Sequence, residues 1–359
     1  VGEGMKRPVY IIGEIGINFN GDLNNCFKLI DKCADAGCNA AKFQFFSGEC
    51  LYPRSAGRLD WKNGERKYSY DIYDTVKSFE LPGEWLDKII GHCEKRKIDF
   101  MSSVFDLASA KLLVDKGIKS FKIASYCLTH VPLIEYCASF NIPMFISTGG
   151  SMLGEIEEAA AAVLKHHKKI YLLHCSIKYP TELKECNLGV LDTLKTAFPE
   201  TGTGYSDHTF EVSEAPVQAV YLGAGVIEKH ITLDKKMKGP DHFFALEPHE
   251  LKEMVAKIRK AEIDLAAGNF TLDKKIYGST GRIVYDHEKY LRDFAFMSMF
   301  AARDIRCGEI IKKSDIKILR PGKKAGGLMP KYLKLFDDNE ISAKIDIKFE
   351  SPITWRCIL

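Results

Sequence analysis

The chain has 359 residues, 46% of them hydrophobic and 28% charged, the ordinary make-up of a globular protein long enough for one large domain and a small one. Its 51 basic and 48 acidic residues leave a net charge of +3, too balanced for a general affinity for nucleic acid, so any basic patch is local and suits a small anionic substrate. No stretch approaches the roughly 20 apolar residues of a membrane span, the start VGEGMKRP lacks the apolar run of a signal peptide, and eleven cysteines without a CxxC pair read as reduced thiols of a cytoplasmic protein, not as a thiolate zinc site.

In chain order, short β-rich runs alternate with segments of helical period. The first run is VYIIGEIG (9–16), followed by the helix pattern NNCFKLIDKCADAG (24–37), and the second is AAKFQF (40–45). A long aromatic-rich insertion, 51–74, comes next and reads as a lid or an interface element. Then come DFMSSVF (99–105), SFKIAS (120–125), PMFISTG (143–149), IYLLHC (170–175), GTGYSDH (202–208) and VIEKHI (226–231), separated by helix patterns such as 83–97, 108–117 and 152–169. Gly37, Gly117, Asn141 and Gly223 stand where helices should stop. Eight strand-then-helix units predict an α/β fold of the (β/α)8 barrel type over residues 1–267. A polar linker, 268–294, leads to a compact β-rich module, 295–359, in which DIRCGEIIKKSDI (304–316) and DIKFESPITWRCI (346–358) read as two degenerate copies of one motif, 42 residues apart.

Polar residues gather toward the C-terminal part of the eight runs: Glu14, Lys42, Gln44, Ser102, Ser103, Lys122, Ser125, Ser147, His174, Asp207, His208, Glu228 and His230. In a barrel those ends converge on the catalytic mouth. Lys42 and Lys122, with the hydroxyls of Ser103, Ser125, Ser147 and Ser206, suit a compact phosphorylated dianion. His208 and His230 end the last two runs, on strands expected roughly 5 Å apart, so both imidazoles reach one divalent ion with positions left open for water and substrate. Asp207, Glu228 and Asp241 are expected to support them. No GxGxxG or P-loop is present to hold a nucleotide.

The motifs GEIGINFNGD, AAKFQFF, KIAS, PLIEYCA, ISTGGS, LLHCSIKYPT, GYSDHT, EKHIT, GPDHFFALEP, AARDIRCGEII and RPG follow one another along nearly the whole chain. In this order they resemble the sialic acid synthases, phosphoenolpyruvate-dependent N-acetylneuraminate synthases with legionaminic and pseudaminic acid relatives. The resemblance implies a barrel followed by a small antifreeze-like domain, and a domain-swapped homodimer. It implies a transferase that condenses phosphoenolpyruvate with N-acetylmannosamine or a related acylamino-hexose and releases phosphate. A divalent metal on His208 and His230 is implied, Mn2+ ahead of Mg2+ or Co2+. By motif position Lys42, Ser103, Lys122, Ser125, Ser147 and Ser206 match the donor ligands, with Glu14 and Lys122 among the catalytic groups. Gln44, Tyr179, Asp241, Phe294 and Arg320 match sugar-side contacts, Arg320 from a partner's small domain. Phe19, Tyr126-Cys127, Ser103-Val104, Ile177 and Ala245 stand where the family usually has other residues. The donor set is retained while the sugar-facing set has changed, so an acceptor other than N-acetylmannosamine is expected. Two further readings compete, a phosphoenolpyruvate-dependent synthase of another sugar acid and a catalytically weakened sugar-phosphate binding protein.

Overall fold

The computed structural model describes residues 8–63, 66–337 and 340–359. Twelve strands occur among the described residues: β1 (Tyr10–Gly16), β2 (Ala40–Phe45), β3 (Arg58–Asn63), β4 (Arg66–Asp71), β5 (Asp99–Val104), β6 (Phe121–Ile123), β7 (Met144–Ser147), β8 (Ile170–His174), β9 (Gly202–Asp207), β10 (Val226–His230), β11 (Ser298–Ala301) and β12 (Ile316–Leu319). Eight of them close a parallel barrel in the order β1-β10-β9-β8-β7-β6-β5-β2, and these are the eight predicted runs. The antiparallel pair β3–β4 lies within the 51–74 insertion.

The helix Leu23–Ala36 shows how the outer layer is encoded. Cys26, Leu29, Ile30, Cys33 and Ala36 recur at helical spacing and are buried against the barrel, while Asp22 caps the first turn by accepting from the Asn24 amide. Full burial of Leu29 and Ile30 stabilises this packing by about 1.5–3 kcal/mol each. The helix ends because Gly37 adopts φ 86°, a left-handed conformation that a side chain would disfavour.

Inside the barrel the side chains form layers, because alternate strand residues point to the same face. The lowest is apolar: Ile12, Ala40, Met101, Phe145, Leu173 and Val226, with Tyr10 and Tyr171 packed beneath. Two residues further along the same strands stand Glu14, Lys42, Ser103, Ser147 and Glu228. The apolar plug closes the bottom of the barrel and leaves the polar residues facing the C-terminal mouth.

The C-terminal module has its own core, built on Met299, Ile305, Ile311, Leu328, Phe336, Ile347, Ile353 and Ile358. Its two motif copies meet symmetrically. Ile305 and Ile347, equivalent positions 42 residues apart, exchange both backbone hydrogen bonds at 2.8 Å. Asp304 accepts from the Phe349 amide and Asp346 from the Cys307 amide, each carboxylate capping the other copy three residues on.

The segment 268–294 lies against the barrel. It contains the short helix Lys274–Tyr277, and the helix Asp286–Ala295 runs out of it. The Glu288 carboxylate, 0% exposed, accepts from the amides of Gly150 (2.9 Å), Ile177 (3.3 Å) and Tyr285 (3.2 Å) and from Arg282 (3.1 Å). Arg282 also donates from Nε to the Ser151 carbonyl at 2.8 Å. A fully buried ion pair thus ties this segment to the loops that follow β7 and β8.

Candidate active site

At the barrel mouth Glu14, Lys42, Ser103, Lys122, Ser147, Ser206 and Glu228 form one cluster, each 4% exposed or less. Lys42 Nζ lies 2.7 Å from Glu14 Oε2 and 3.6 Å from Glu228 Oε2, and donates to Ser103 Oγ at 3.3 Å. Lys122 donates to Ser147 Oγ at 2.6 Å, with Glu228 Oε1 at 3.9 Å. Ser206 donates to Glu228 at 2.9 Å, and Gln44 donates to Glu14 at 2.8 Å.

The two lysines differ electrostatically. Burial pulls the Lys42 pKa down, but Glu14 and Glu228 more than restore it and hold it above the ordinary value. For Lys122 burial wins over the more distant Glu228 and the pKa falls. Glu228 stands between two ammonium groups and is held below the ordinary range against the upward push of burial, whereas burial raises Glu14 despite its Lys42 partner. Lys122 is therefore the cation with the weaker counter-charge, placed to gain most from an arriving anion. Ser125, on the turn after β6, accepts from the Gly149 amide at 3.0 Å and meets Cys175 Sγ at 3.1 Å, which joins the predicted donor hydroxyls to the glycine loop after β7.

Above the cluster stand His208 and His230, ring centroids 5.6 Å apart. His208 Nδ1 is 2.6 Å from the Ser176 carbonyl, so that nitrogen donates and Nε2 keeps its lone pair. Burial holds His208 down at about 4, only partly offset by that hydrogen bond, and burial with neighbouring cationic groups depresses His230 well below its usual value. Both imidazoles are neutral at pH 7, the form that binds metal. His230 Nδ1 is buried without a hydrogen bond, with Asp241 Oδ2 at 3.9 Å. These features fit a two-histidine metal site with open positions. Among the described residues no three His, Cys, Asp or Glu side chains gather into a closed cage.

Asp241 is raised to about 7 by burial and by the charge of Glu14. Its loop is fixed by the adjacent His242, whose ring is hydrogen-bonded on both nitrogens, to Thr232 Oγ1 at 2.7 Å and Asn20 Oδ1 at 3.0 Å. Sequence reasoning did not single out His242; its place in the GPDH motif was the available signal. Tyr179 packs against His208, ring centroids 4.2 Å apart and tilted by 35°, and also borders an open cavity of about 580 Å³ lined by Lys178, Thr181, Phe210, Glu211 and Ile276. That volume lies in the usual range of small-ligand sites.

Three polar residues expected at the mouth face the other way. Ser102 donates to the Ser103 carbonyl, His174 is hydrogen-bonded to the Cys186 carbonyl, and Asp207 pairs at 2.5 Å with the buried Lys229. The expected support of the histidines by Asp207 is thus replaced by a role outside the barrel, binding β9 to β10. Strand alternation requires it, since Ser206 and His208 face inward. Four of the replaced family positions are apolar packing here. Phe19 is fully buried and packs against Phe43 and Trp85, and Cys127, Ile177 and Ala245 are 0% exposed.

Arg320, predicted as a sugar contact, lies over the mouth of its own chain. Its guanidinium sits 4.9 Å from the Tyr126 ring centre, 5.2 Å from Phe105 and 5.7 Å from Tyr52. Its Nε is buried without a hydrogen-bond partner. Phe294 packs on Tyr52 at 6.0 Å, along the wall of the same aromatic box. The box residues Tyr52 and Tyr126, like the Arg282–Glu288 pair, had no periodic signal in the sequence, while Phe105 ends the predicted run 99–105.

Comparison with known proteins gives a consistent picture. Residues 29–270 match the NeuB family and residues 296–357 the SAF domain. The spore coat polysaccharide biosynthesis protein SpsE of Bacillus subtilis is 39% identical over 99% of this chain and 95% of its own, and its crystal structure superposes over both domains with a TM-score of 0.87 (99% of this chain, 96% of that one). The N,N'-diacetyllegionaminic acid synthase of Legionella pneumophila is 35% identical over 99% of this chain and 96% of its own. A crystal structure of N-acetylneuraminic acid synthetase from Leptospira borgpetersenii, 32% identical, matches 74% of this chain and 88% of that one with a TM-score of 0.65.

Proposed function

The chain belongs to the NeuB family, and on that premise we propose that it is a nonulosonic acid synthase that condenses phosphoenolpyruvate with an acylamino-hexose. The observation that carries the reading is the buried Lys42–Lys122–serine cluster lying one layer below two neutral histidines. Lys122, Lys42 and the hydroxyls of Ser103, Ser125, Ser147 and Ser206 would hold the phosphate and carboxylate of the donor, with charge from the ammonium groups and direction from the hydroxyls. C3 of the donor would form a carbon–carbon bond to the acceptor's aldehyde carbon, whose oxygen takes up a proton. Asp241, whose carboxylate lies 3.9 Å from His230 Nδ1, is the group placed to carry that proton. Water adds at C2 and gives up a proton toward Glu14. The C2–O bond to phosphate then breaks as the C2 hydroxyl gives its proton to the departing phosphate, leaving a 2-keto acid and inorganic phosphate.

A divalent metal on His208 and His230 would supply Lewis-acid polarisation of the aldehyde oxygen. Holding both substrates side by side in a mouth closed to bulk water would contribute the remaining acceleration through orientation. Tyr52, Phe105, Tyr126 and Phe294, beside uncharged Cys127 and Ile177, suit an acceptor carrying more acyl or methyl substituents than N-acetylmannosamine.

Phosphate release from phosphoenolpyruvate, measured with a panel of 2-acylamino hexoses, pentoses and phosphorylated aldoses, tests the proposal. Release dependent on a 2-acylamino hexose is expected. Preference for a shorter aldose would make the protein a synthase of another sugar acid. Donor binding without turnover of any aldose would leave it a binding protein.

A further inference from the structure

The strands that lead to His208 and His230 are also joined behind the barrel, by a polar cluster that the proposed chemistry does not use. Asp207 and Lys229 are register partners in the β9–β10 ladder, and each stands one residue before a histidine. Successive strand residues face opposite ways, so this pair points away from the barrel interior while the histidines point into it. Asp207, Lys229, Thr209 and Tyr205 are each 1% exposed or less.

β9 ends at Asp207, so the backbone from His208 onward lies beyond the ladder. Lys229 takes the place of the missing ladder bonds. Its ammonium lies 2.5 Å from Asp207 Oδ2 and donates to the carbonyls of Thr209 (2.7 Å) and Glu211 (2.9 Å). Asp207 Oδ1 accepts from the Thr209 amide (3.0 Å) and from the Tyr205 hydroxyl (3.1 Å). Thr209 Oγ1 stands 3.1 Å from Asp207 Oδ2 and 3.2 Å from the ammonium. The His208 carbonyl in turn accepts from the Thr181 amide at 2.9 Å. Stability alone does not call for such a pair, since apolar residues of similar volume often replace a buried ion pair without loss. An apolar side chain at position 229 would, however, take away the donor that reaches the Thr209 and Glu211 carbonyls and free the loop that begins at His208.

We propose that Asp207 and Lys229 are positioning residues for the two-histidine metal site. Clamped together on the rear of β9 and β10, they order the loop 207–211 and hold the imidazoles at their separation, ring centroids 5.6 Å apart, before an ion arrives. Neither side chain bonds to an imidazole; both act through the backbone one residue away. A site ordered in advance binds its ion without the loss of affinity that ordering the ligands would entail. The catalytic purpose rests on the metal reading proposed above, whereas the ordering of the loop stands without it.

Amide exchange in the metal-free parent protein tests the ordering. The Thr209 amide should exchange slowly, at a rate that Mn2+ changes by no more than about threefold. Fast exchange that becomes slow only when Mn2+ is added would show that the ion orders the loop, and would overturn the proposal. Positioning is read in Lys229→Met and in the double variant Asp207→Asn/Lys229→Met. The double variant leaves no unpaired buried charge and carries the test where the single variant does not fold. In each, Mn2+ affinity by electron paramagnetic resonance should fall about tenfold or more, the usual effect of losing a group that orients metal ligands. Phosphoenolpyruvate affinity by calorimetry without metal should stay within about threefold, since Lys42 and Lys122 stand on β2 and β6. A folded double variant with the parent's Mn2+ affinity would reduce the pair to a stabilising contact. Equal loss of both affinities would mean a general loosening of the barrel and would also overturn the positioning role. A parent that binds no Mn2+ would remove the metal from the proposed function and with it the purpose assigned to the pair; the metal-free exchange would still decide whether the loop is ordered in advance.

Discussion

Replacing Arg282 by methionine probes the brace between the barrel and the segment 268–294. The substitution keeps an unbranched side chain of similar length but leaves Glu288 as a buried charge without its cation. Removing one partner of a buried pair costs about 3–5 kcal/mol. The lower end applies, because three backbone amides at 2.9, 3.2 and 3.3 Å still donate to the carboxylate. Loss of the Arg282 Nε bond to the Ser151 carbonyl adds about 1 kcal/mol. A total of about 4 kcal/mol corresponds to a fall in Tm of roughly 8–16 °C for a large domain, measured by calorimetry. Glu288→Gln should also destabilise, since an amide NH2 then faces N–H donors on one side. The double variant Arg282→Met/Glu288→Gln should lose less than the sum of the two, as neither buried charge remains. Donor affinity should fall in Arg282→Met as well, because the Gly149–Ser151 loop carries the partner of Ser125. A loss below 1 kcal/mol for Arg282→Met, or strict additivity in the double variant, would refute the reasoning.

Lys122→Met should weaken phosphoenolpyruvate binding tenfold or more, a charge-assisted contact contributing about 1.5–3 kcal/mol; unchanged affinity by calorimetry would make Lys122 a structural residue. Mn2+ binding, followed by electron paramagnetic resonance, should be lost in His208→Ala, and chelation should abolish turnover of the parent protein; turnover insensitive to chelators would remove the metal from the mechanism. The Glu350 carboxylate accepts from the Arg54 amide (2.9 Å), the Ser55 amide (3.1 Å) and Ser55 Oγ (2.7 Å); burial pushes its pKa up, but these hydrogen bonds and Lys324 outweigh it and hold it below the ordinary value. The stabilisation from these contacts is therefore complete above the unfolded pKa of about 4.3 and is lost as pH falls through the lower folded value. The Tm gap between parent and Glu350→Gln should accordingly shrink between pH 6 and pH 3, and a constant gap would show that this carboxylate does not titrate with folding.

Eight strand runs, the helix stops and the order of the motifs were legible because they are local, carried by period-two and helical patterns and by glycines at positive φ. So were Lys42, Lys122, His208 and His230, since strand ends in a parallel barrel converge on one mouth. Which of two neighbouring polar residues faces that mouth was not legible. Alternation says that Ser102 and Ser103, or Asp207 and His208, point opposite ways. It does not say which way is inward in a strand buried on both faces, because the interior and the helix layer demand the same apolar neighbours. Only the closed barrel places Ser103 and His208 inside and gives Asp207 to Lys229. The Arg282–Glu288 brace and the Glu350 hydrogen bonds to the 54–55 backbone join residues more than 100 positions apart through backbone amides and carbonyls. A backbone group presents the same donor or acceptor whatever its residue type, so these contacts leave no mark in the sequence and exist only once the chain has folded.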